Sequence, residues 1–133
     1  MTDERRRSPF SAHIGAEMEE LREGYARLSL TLERRHTNPN GVMHGGVVTT
    51  MMDSALGAAL GALRGEEVRR NPHATVEMNA SFLAAAFPGE KIVVEGRVIR
   101  RGKSIAFGEA EARSGDQLIA KGRLTFAIRN RSG

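Results

Sequence analysis

The chain has 133 residues and contains no cysteine and no tryptophan. Without cysteine there is no disulfide framework, no thiol nucleophile and no thiolate metal site. Aromatic residues are few, five Phe and one Tyr, which argues against a single-stranded nucleic-acid surface, because such surfaces use exposed rings for base stacking. Charge of one sign is also scarce. The net charge of +4 is spread along the chain and suits a phosphate-bearing ligand as well as a nucleic acid. The first residues, MTDERRRS, are charged and no apolar stretch follows them. They do not form a secretory signal, so a cytoplasmic protein is expected. His13, His36, His44 and His73 lack metal-ligand spacing. Neither a phosphate-binding glycine loop nor a Gly-x-Ser-x-Gly elbow occurs. No metal and no cofactor are therefore expected.

What the chain does have is a long apolar run. Between Arg35 and Arg64 there is one formal charge, Asp53. A polar turn, 36–41, leads into a helix expected to start near His44 or Gly45, since Ala, Leu and Met favour helix and the interruptions are small residues. Twenty residues would span ~30 Å. A helix apolar nearly all round is buried on most sides, so Asp53 needs partners or a chemical role: an unpaired buried carboxylate costs several kcal/mol or more. The run is long enough to suggest a membrane span. A central Asp is costly there, and Thr49, Thr50, Ser54, Gly57 and Gly61 dilute it. No membrane association is expected.

At this length one domain, 1–133, is expected, with 1–9 and 130–133 flexible. Pro9 and Ser11 suggest a helix start, and Ile14, Met18 and Leu21 continue at helical spacing until Gly24. Residues 25–32 alternate as a half-buried strand. After the central helix and a charged connection, 65–72, four strands are expected in a meander: 74–83, 91–100, 104–113 and 118–128. In the first of these, Thr75, Glu77, Asn79 and Ser81 share one face, ordinarily a solvated one, and Val76, Met78, Ala80 and Phe82 share the other. The result is an α+β fold, a long central helix wrapped by an antiparallel sheet of about five strands, with a short N-terminal helix.

The N-terminus of the central helix is a candidate oxyanion site. Its first N–H groups lack intrahelical partners and the dipole is positive there. Gly45 and Gly46 let a ligand approach the backbone closely, although they could equally serve only a tight entry into the helix. Asp53 follows Gly46 by seven residues, on the same face but ~10 Å along the axis. A base and an oxyanion hole for one carbonyl must both come within ~3 Å of it. One chain is badly placed to supply both, whereas two chains about a two-fold axis could exchange them. Alternatively Asp53 simply bonds Thr49, Thr50, Ser54 or a strand. Arg100, Arg101 and Lys103 cluster at a turn, either solvated or contacting phosphate.

The stretch Asn38-x2-Gly41-x2-His44-Gly45-Gly46-x6-Asp53 resembles the hotdog-fold acyl-CoA thioesterases of the phenylacetate-degradation (PaaI-like) type. The similarity continues through Thr75-Val76-Glu77-Met78-Asn79, Pro88-Gly89, Arg101-Gly102-Lys103 and Ala120-Lys121-Gly122, covering roughly residues 25–128. The resemblance implies a homodimer or homotetramer with active sites at the dimer interface, acting on an acyl-CoA substrate. It implies hydrolysis of an aryl- or medium/long-chain acyl-CoA to free acid and CoA. Asp53 would be nucleophile or general base, and the Gly45 N–H the oxyanion donor. Asn38 and His44 would help hold the carbonyl or the water, and the Thr75 hydroxyl would assist the water. Asp53 and Thr75 would come from one subunit, and Asn38, His44 and Gly45 from the other. Gly46, Arg100, Arg101 and Lys103 would contact substrate, the basic residues near the CoA phosphates. The same fold also serves dehydratases and acyl-CoA-binding regulators. A non-catalytic acyl-CoA-binding module is therefore the competing expectation. A dehydratase is disfavoured by the mid-helix Asp, and a purely structural dimer is the remaining alternative.

Overall fold

The computed structural model describes residues 8–129. The expected flexible tails fall largely outside that range; of them, Pro9 is ordered as the first residue of a helix. This helix, α1, spans Pro9–Ile14, with the Ser8 hydroxyl accepting from the Ser11 N–H. Pro at the first helical position and Ser at the cap fit a helix start. The helix does not continue to Gly24 as its apolar spacing suggested. Gly15 takes a left-handed φ of 89° and ends it, and Glu17–Arg22 forms strand β1 against β2, Tyr25–Thr31. The cause of the misassignment is a bulge between Met18 and Glu20. One extra residue places Met18 and Leu21 on one face, opposite Leu28 and Ala26, so a bulged strand imitates a helical three-residue spacing.

After a 3-10 turn at Arg34–His36 comes the central helix α2, Gly45–Arg64, capped by His44. A short helix α3, Glu67–Arg70, lies within the connection. Strands β3, His73–Phe82, β4, Lys91–Arg101, β5, Ile105–Ser114, and β6, Gln117–Ile128, complete one antiparallel sheet. Its order is β1-β2-β4-β5-β6-β3, six strands. The expected four-strand meander is thus only partly present. β4, β5 and β6 are consecutive, but β3 lies beyond β6 at the far edge. The physical reason is α2. At ~30 Å it is long enough to carry the chain from β2 across the intervening strands, each ~4.8 Å apart, to the opposite edge.

By length and composition alone α2 could cross a membrane. Here its Val48, Met51, Met52, Ala55, Leu56, Ala59 and Leu60 are buried in a core shared with the sheet. Each large side chain so buried is worth about 1.5–3 kcal/mol. A row of small residues makes the close approach possible. In register across the sheet run Ala26, Gly96, Ala110, Gly122 and Ala80. A Cβ on Gly96 would come 3.0 Å from Leu56 Cγ, and one on Gly122 would come 2.9 Å from Met52 Sδ.

Candidate active site

Residues 36–44 are held from both ends. The His36 ring is buried, 2% exposed. Its Nδ1 accepts from the Glu33 N–H at 2.8 Å and its Nε2 donates to the Ile14 carbonyl at 2.7 Å. Its own carbonyl accepts from the His44 N–H at 2.8 Å, and the Met43 N–H donates to Ala86 at 2.8 Å. His36 is therefore a structural histidine that fixes where α2 begins. His44 then caps α2: its Nδ1 accepts from the Gly46 N–H at 2.8 Å. This cap needs glycine at 46, since a Cβ there would sit 2.9 Å from His44 Nδ1. With Gly46 committed, the Gly45 N–H is the donor left over; among the described residues no group accepts from it. The Phe82 ring lies close by, with its Cζ 3.1 Å from where a Gly45 Cβ would stand.

Asn38 turns its amide oxygen onto its own loop, accepting from Asn40 N–H at 2.9 Å and Val42 N–H at 3.4 Å. The NH2 group is what it can offer a ligand.

Asp53 is half-buried two turns into α2. The nearby hydroxyls do not reach it. Thr49 and Thr50 bond back to the carbonyls of Gly45 and Gly46, and Ser54 pairs with the buried Ser11. The partner is on a strand: Thr75 Oγ1 donates to Asp53 Oδ1 at 2.5 Å. A bulge produces this contact. The β3–β6 register shifts between Thr75 and Glu77, so Thr75 and His73 face α2 together with Met78, Ala80 and Phe82. The simple alternation of residues 74–83 had put Thr75 with Glu77, Asn79 and Ser81. A single extra residue moves the hydroxyl from one side of the sheet to the other.

The basic cluster does not converge. Strand β4 runs on to Arg101, so Arg100, beside Phe107, and Arg101, beside Ala106, are consecutive strand residues and point to opposite faces. Arg101 Nη2 donates to both oxygens of Glu67, at 3.0 and 2.8 Å, and holds that carboxyl below its usual range. Lys103 sits in the turn that follows. Among the described residues no group of three His, Asp or Glu could hold a metal ion.

Two residues to which the sequence reading gave no role are part of this region. His73 and Arg64 join the start of β3 to α2. The only sequence signal was a histidine two positions before Thr75, and its meaning depends on the bulge.

Within one protomer the parts cannot meet at one atom. Gly45 and Asp53 are eight residues apart on one helix, ~12 Å along its axis. The arrangement pairs an oriented carboxylate with an uncommitted helix-terminal N–H, the two components of carbonyl chemistry, but displays them separately.

Comparison with known proteins gives consistent findings. Residues 40–121 match the Thioesterase superfamily. Acyl-coenzyme A thioesterase 13 of Mus musculus is 33% identical over 103 residues, covering 76% of this chain and 71% of that protein. The structure of a conserved protein from Pseudomonas aeruginosa superposes with a TM-score of 0.87 at 32% identity, covering 94% of this chain and 97% of that one. The E. coli PaaI protein, from the phenylacetic acid degradation operon, has the same fold, with a TM-score of 0.84 at 19% identity over 96% of this chain and 88% of that one.

Proposed function

Since this chain belongs to the thioesterase superfamily, we propose that it hydrolyses acyl-CoA thioesters, with Asp53 as the reacting carboxylate and the Gly45 N–H of a second copy as the oxyanion donor. The observation that carries this is the Thr75–Asp53 hydrogen bond on a helix whose leading N–H group is uncommitted.

In the proposed reaction the Gly45 N–H, aided by the helix dipole, stabilises negative charge on the thioester oxygen. Asp53 either takes a proton from water or attacks the carbonyl carbon itself, expelling the CoA thiolate and leaving an anhydride that water then hydrolyses. The Thr75 hydroxyl orients the carboxylate and can hydrogen-bond the water. By the water route, the water oxygen bonds to the carbonyl carbon, the C–S bond breaks, and the proton released ends on the CoA sulfur. The His44 ring and the Asn38 NH2 group border the same helix entry and would orient the carbonyl or the water. Aryl- and medium- or long-chain acyl groups are the proposed substrates, because there is open space beside α2 at Gly57, one turn beyond Asp53, where an added Cβ would meet nothing within 4 Å.

A second copy is supported by β3. It is an edge strand with one side of its ladder unpaired, and Val76 and Phe82 are 59% and 55% exposed. Such an edge invites pairing with another chain. A two-fold axis there would exchange the half-sites, giving two active sites per homodimer; pairing of dimers into a homotetramer is compatible with this.

The test is thiol release from short, medium, long and aryl acyl-CoA esters. Asp53→Asn should lower kcat by ~10²–10⁴ while the fold persists. Gly45→Pro removes the N–H at a position where proline suits a helix start, with the exposed Phe82 ring, 3.1 Å from the new Cβ, turning aside to admit it, and should cost ~10²–10³ in kcat. Mixing the two inactive variants and reassembling them should restore roughly a quarter of wild-type activity, because a heterodimer rebuilds one complete site in two. No restoration would exclude the shared site. Binding of acyl-CoA with no thiol release from any ester would make the protein a binding module instead.

A further inference from the structure

His73 is half-buried, and what distinguishes it is that both ring nitrogens are committed. Nε2 donates to the Gly57 carbonyl in the middle of α2 at 3.1 Å, and Nδ1 accepts from Arg64 Nη1 at 2.8 Å. The edge of the ring meets Phe126 at a centroid distance of 5.6 Å and an interplanar angle of 86°. Both hydrogen bonds require the neutral ring with its proton on Nε2. Gly61, whose Cβ would be 3.9 Å from His73 Cε1, leaves the ring room to lie on the helix. His73 thus ties the first residue of β3 to α2 one turn beyond Asp53. Thr75, two residues later on the same face, makes the bond to Asp53.

We propose that His73 is a positioning residue: in its neutral form it pins the start of β3 to α2 so that Thr75 meets Asp53, and its protonation releases the pin. The inference rests on Asp53 being the reacting carboxylate.

The charges around the ring oppose protonation. From α2, Arg64 faces it directly, with a side chain 0% exposed. Arg64 also donates to the Asn71 carbonyl and stands 3.6 Å from Glu67 of α3. Glu67 is held in turn by Arg101 of β4. Two guanidinium groups therefore share one carboxylate beside His73. β6 contributes Phe126 and Ile128, which do not titrate. On β3 itself the next polar group is Thr75, with Asp53 of α2 beyond it. Burial, and then the charge of Arg64, push the imidazole below its ordinary value, while the Gly57 bond works the other way. A protonated ring would aim an N–H at the Arg64 N–H and set two cations in contact. The sign follows from linkage. The undocked strand, with an ordinary imidazole near 6.5, takes the proton first. Docking is therefore complete above that value and is lost as pH falls through the depressed one.

The experiment is kcat and KM against pH for acyl-CoA hydrolysis by the intact protein, comparing wild type with His73→Gln and His73→Phe, and with Asp53→Asn at one reference pH. Wild-type kcat should show an acid inflection below about pH 6.5. A glutamine amide can donate to Gly57 and accept from Arg64 without titrating, so His73→Gln should keep most of the activity at pH 8 and lack that inflection. His73→Phe should lower kcat by ~10-fold or more at every pH with KM unchanged, as expected for misplacement of a reacting group. Should His73→Phe fail to fold, the pH profile of His73→Gln decides alone. A His73→Gln profile superimposable on wild type, or wild-type kcat in a folded His73→Phe, would overturn this inference while leaving the role of Asp53 intact. Full activity in Asp53→Asn would overturn that role and this inference with it.

Discussion

Strands β3 and β5 have ten residues each and flank the same neighbour, β6, one on either side. β5 is paired along both edges. Its Ala106, Gly108, Ala110 and Ala112 are buried beneath α2. β3 is paired along one edge only, is exposed at most positions, and carries the bulge that turns His73 and Thr75 toward the helix. The β5–β6 ladder keeps its register from Ile105 to Ala112 and shifts only near the hairpin, between Ala112 and Arg113, so along that length β5 is fitted to the helix by residue size. A strand with one free edge tolerates an extra residue. That freedom lets it aim a hydroxyl at Asp53 and leaves the outer ladder open for a second chain.

The comparison can be broken first at β3. Thr75→Val keeps the shape and deletes the hydroxyl, so kcat should fall about 10- to 100-fold, with a melting temperature close to wild type. A large loss of stability with unchanged kcat would reverse the assignment of β3 to the site. At β5 the opposite pattern is expected. A Cβ on Gly108 would lie 2.5 Å from Leu56 Cδ2 and 3.2 Å from the Arg97 carbonyl. Gly108→Val should therefore overpack the core and cost about 1–3 kcal/mol, read as a lowered denaturation midpoint. The fraction that remains folded should turn over normally.

The smallest effect belongs to the sheet's other edge, β1, whose outer ladder is also unpaired and which charge ties to its inner neighbours. Glu19 accepts from Arg27 Nε at 3.2 Å and pairs with Lys91 at 3.0 Å. The Ser29 hydroxyl first, and then Lys91, lower its carboxyl to about 2. A depressed carboxyl stabilises the fold above its unfolded value and loses that contribution as pH falls through the folded one. The melting-temperature gap between wild type and Glu19→Gln, present at neutral pH, should close between about pH 4.5 and 2. Because the pair is partly exposed, the gap should correspond to less than ~1 kcal/mol. A gap independent of pH would mean that Glu19 acts through packing and that both edges of the sheet depend on shape.

Much of the site was legible in the order of residues. The capped entry at His44, the two glycines and the isolated Asp53 all follow from local chemistry that folding does not rearrange. The separation of Gly45 from Asp53 was equally legible, because helix rise is a constant. Three details were not. Met18 and Leu21 read as a helix, the alternation around Thr75 read as solvent-facing although the family resemblance set its hydroxyl in the site with Asp53, and Arg100 with Arg101 read as one patch. The first two have one cause, a one-residue bulge that breaks the two-residue period and is decided by the partner strand; the third follows from β4 running on through Arg101, where adjacent residues alternate faces.

The sequence by itself determined the long helix, its boundaries, the strand-rich remainder and the residue types at the helix entry, because each depends on interactions within a few residues. The tertiary structure alone decided three further things: that β3 lies beside β6, that a row of small residues from five strands lines up beneath α2, and that His73 and Thr75 reach Gly57 and Asp53. Those depend on register between segments far apart in the chain, and register is fixed only when the strands are brought together and the helix is packed against them.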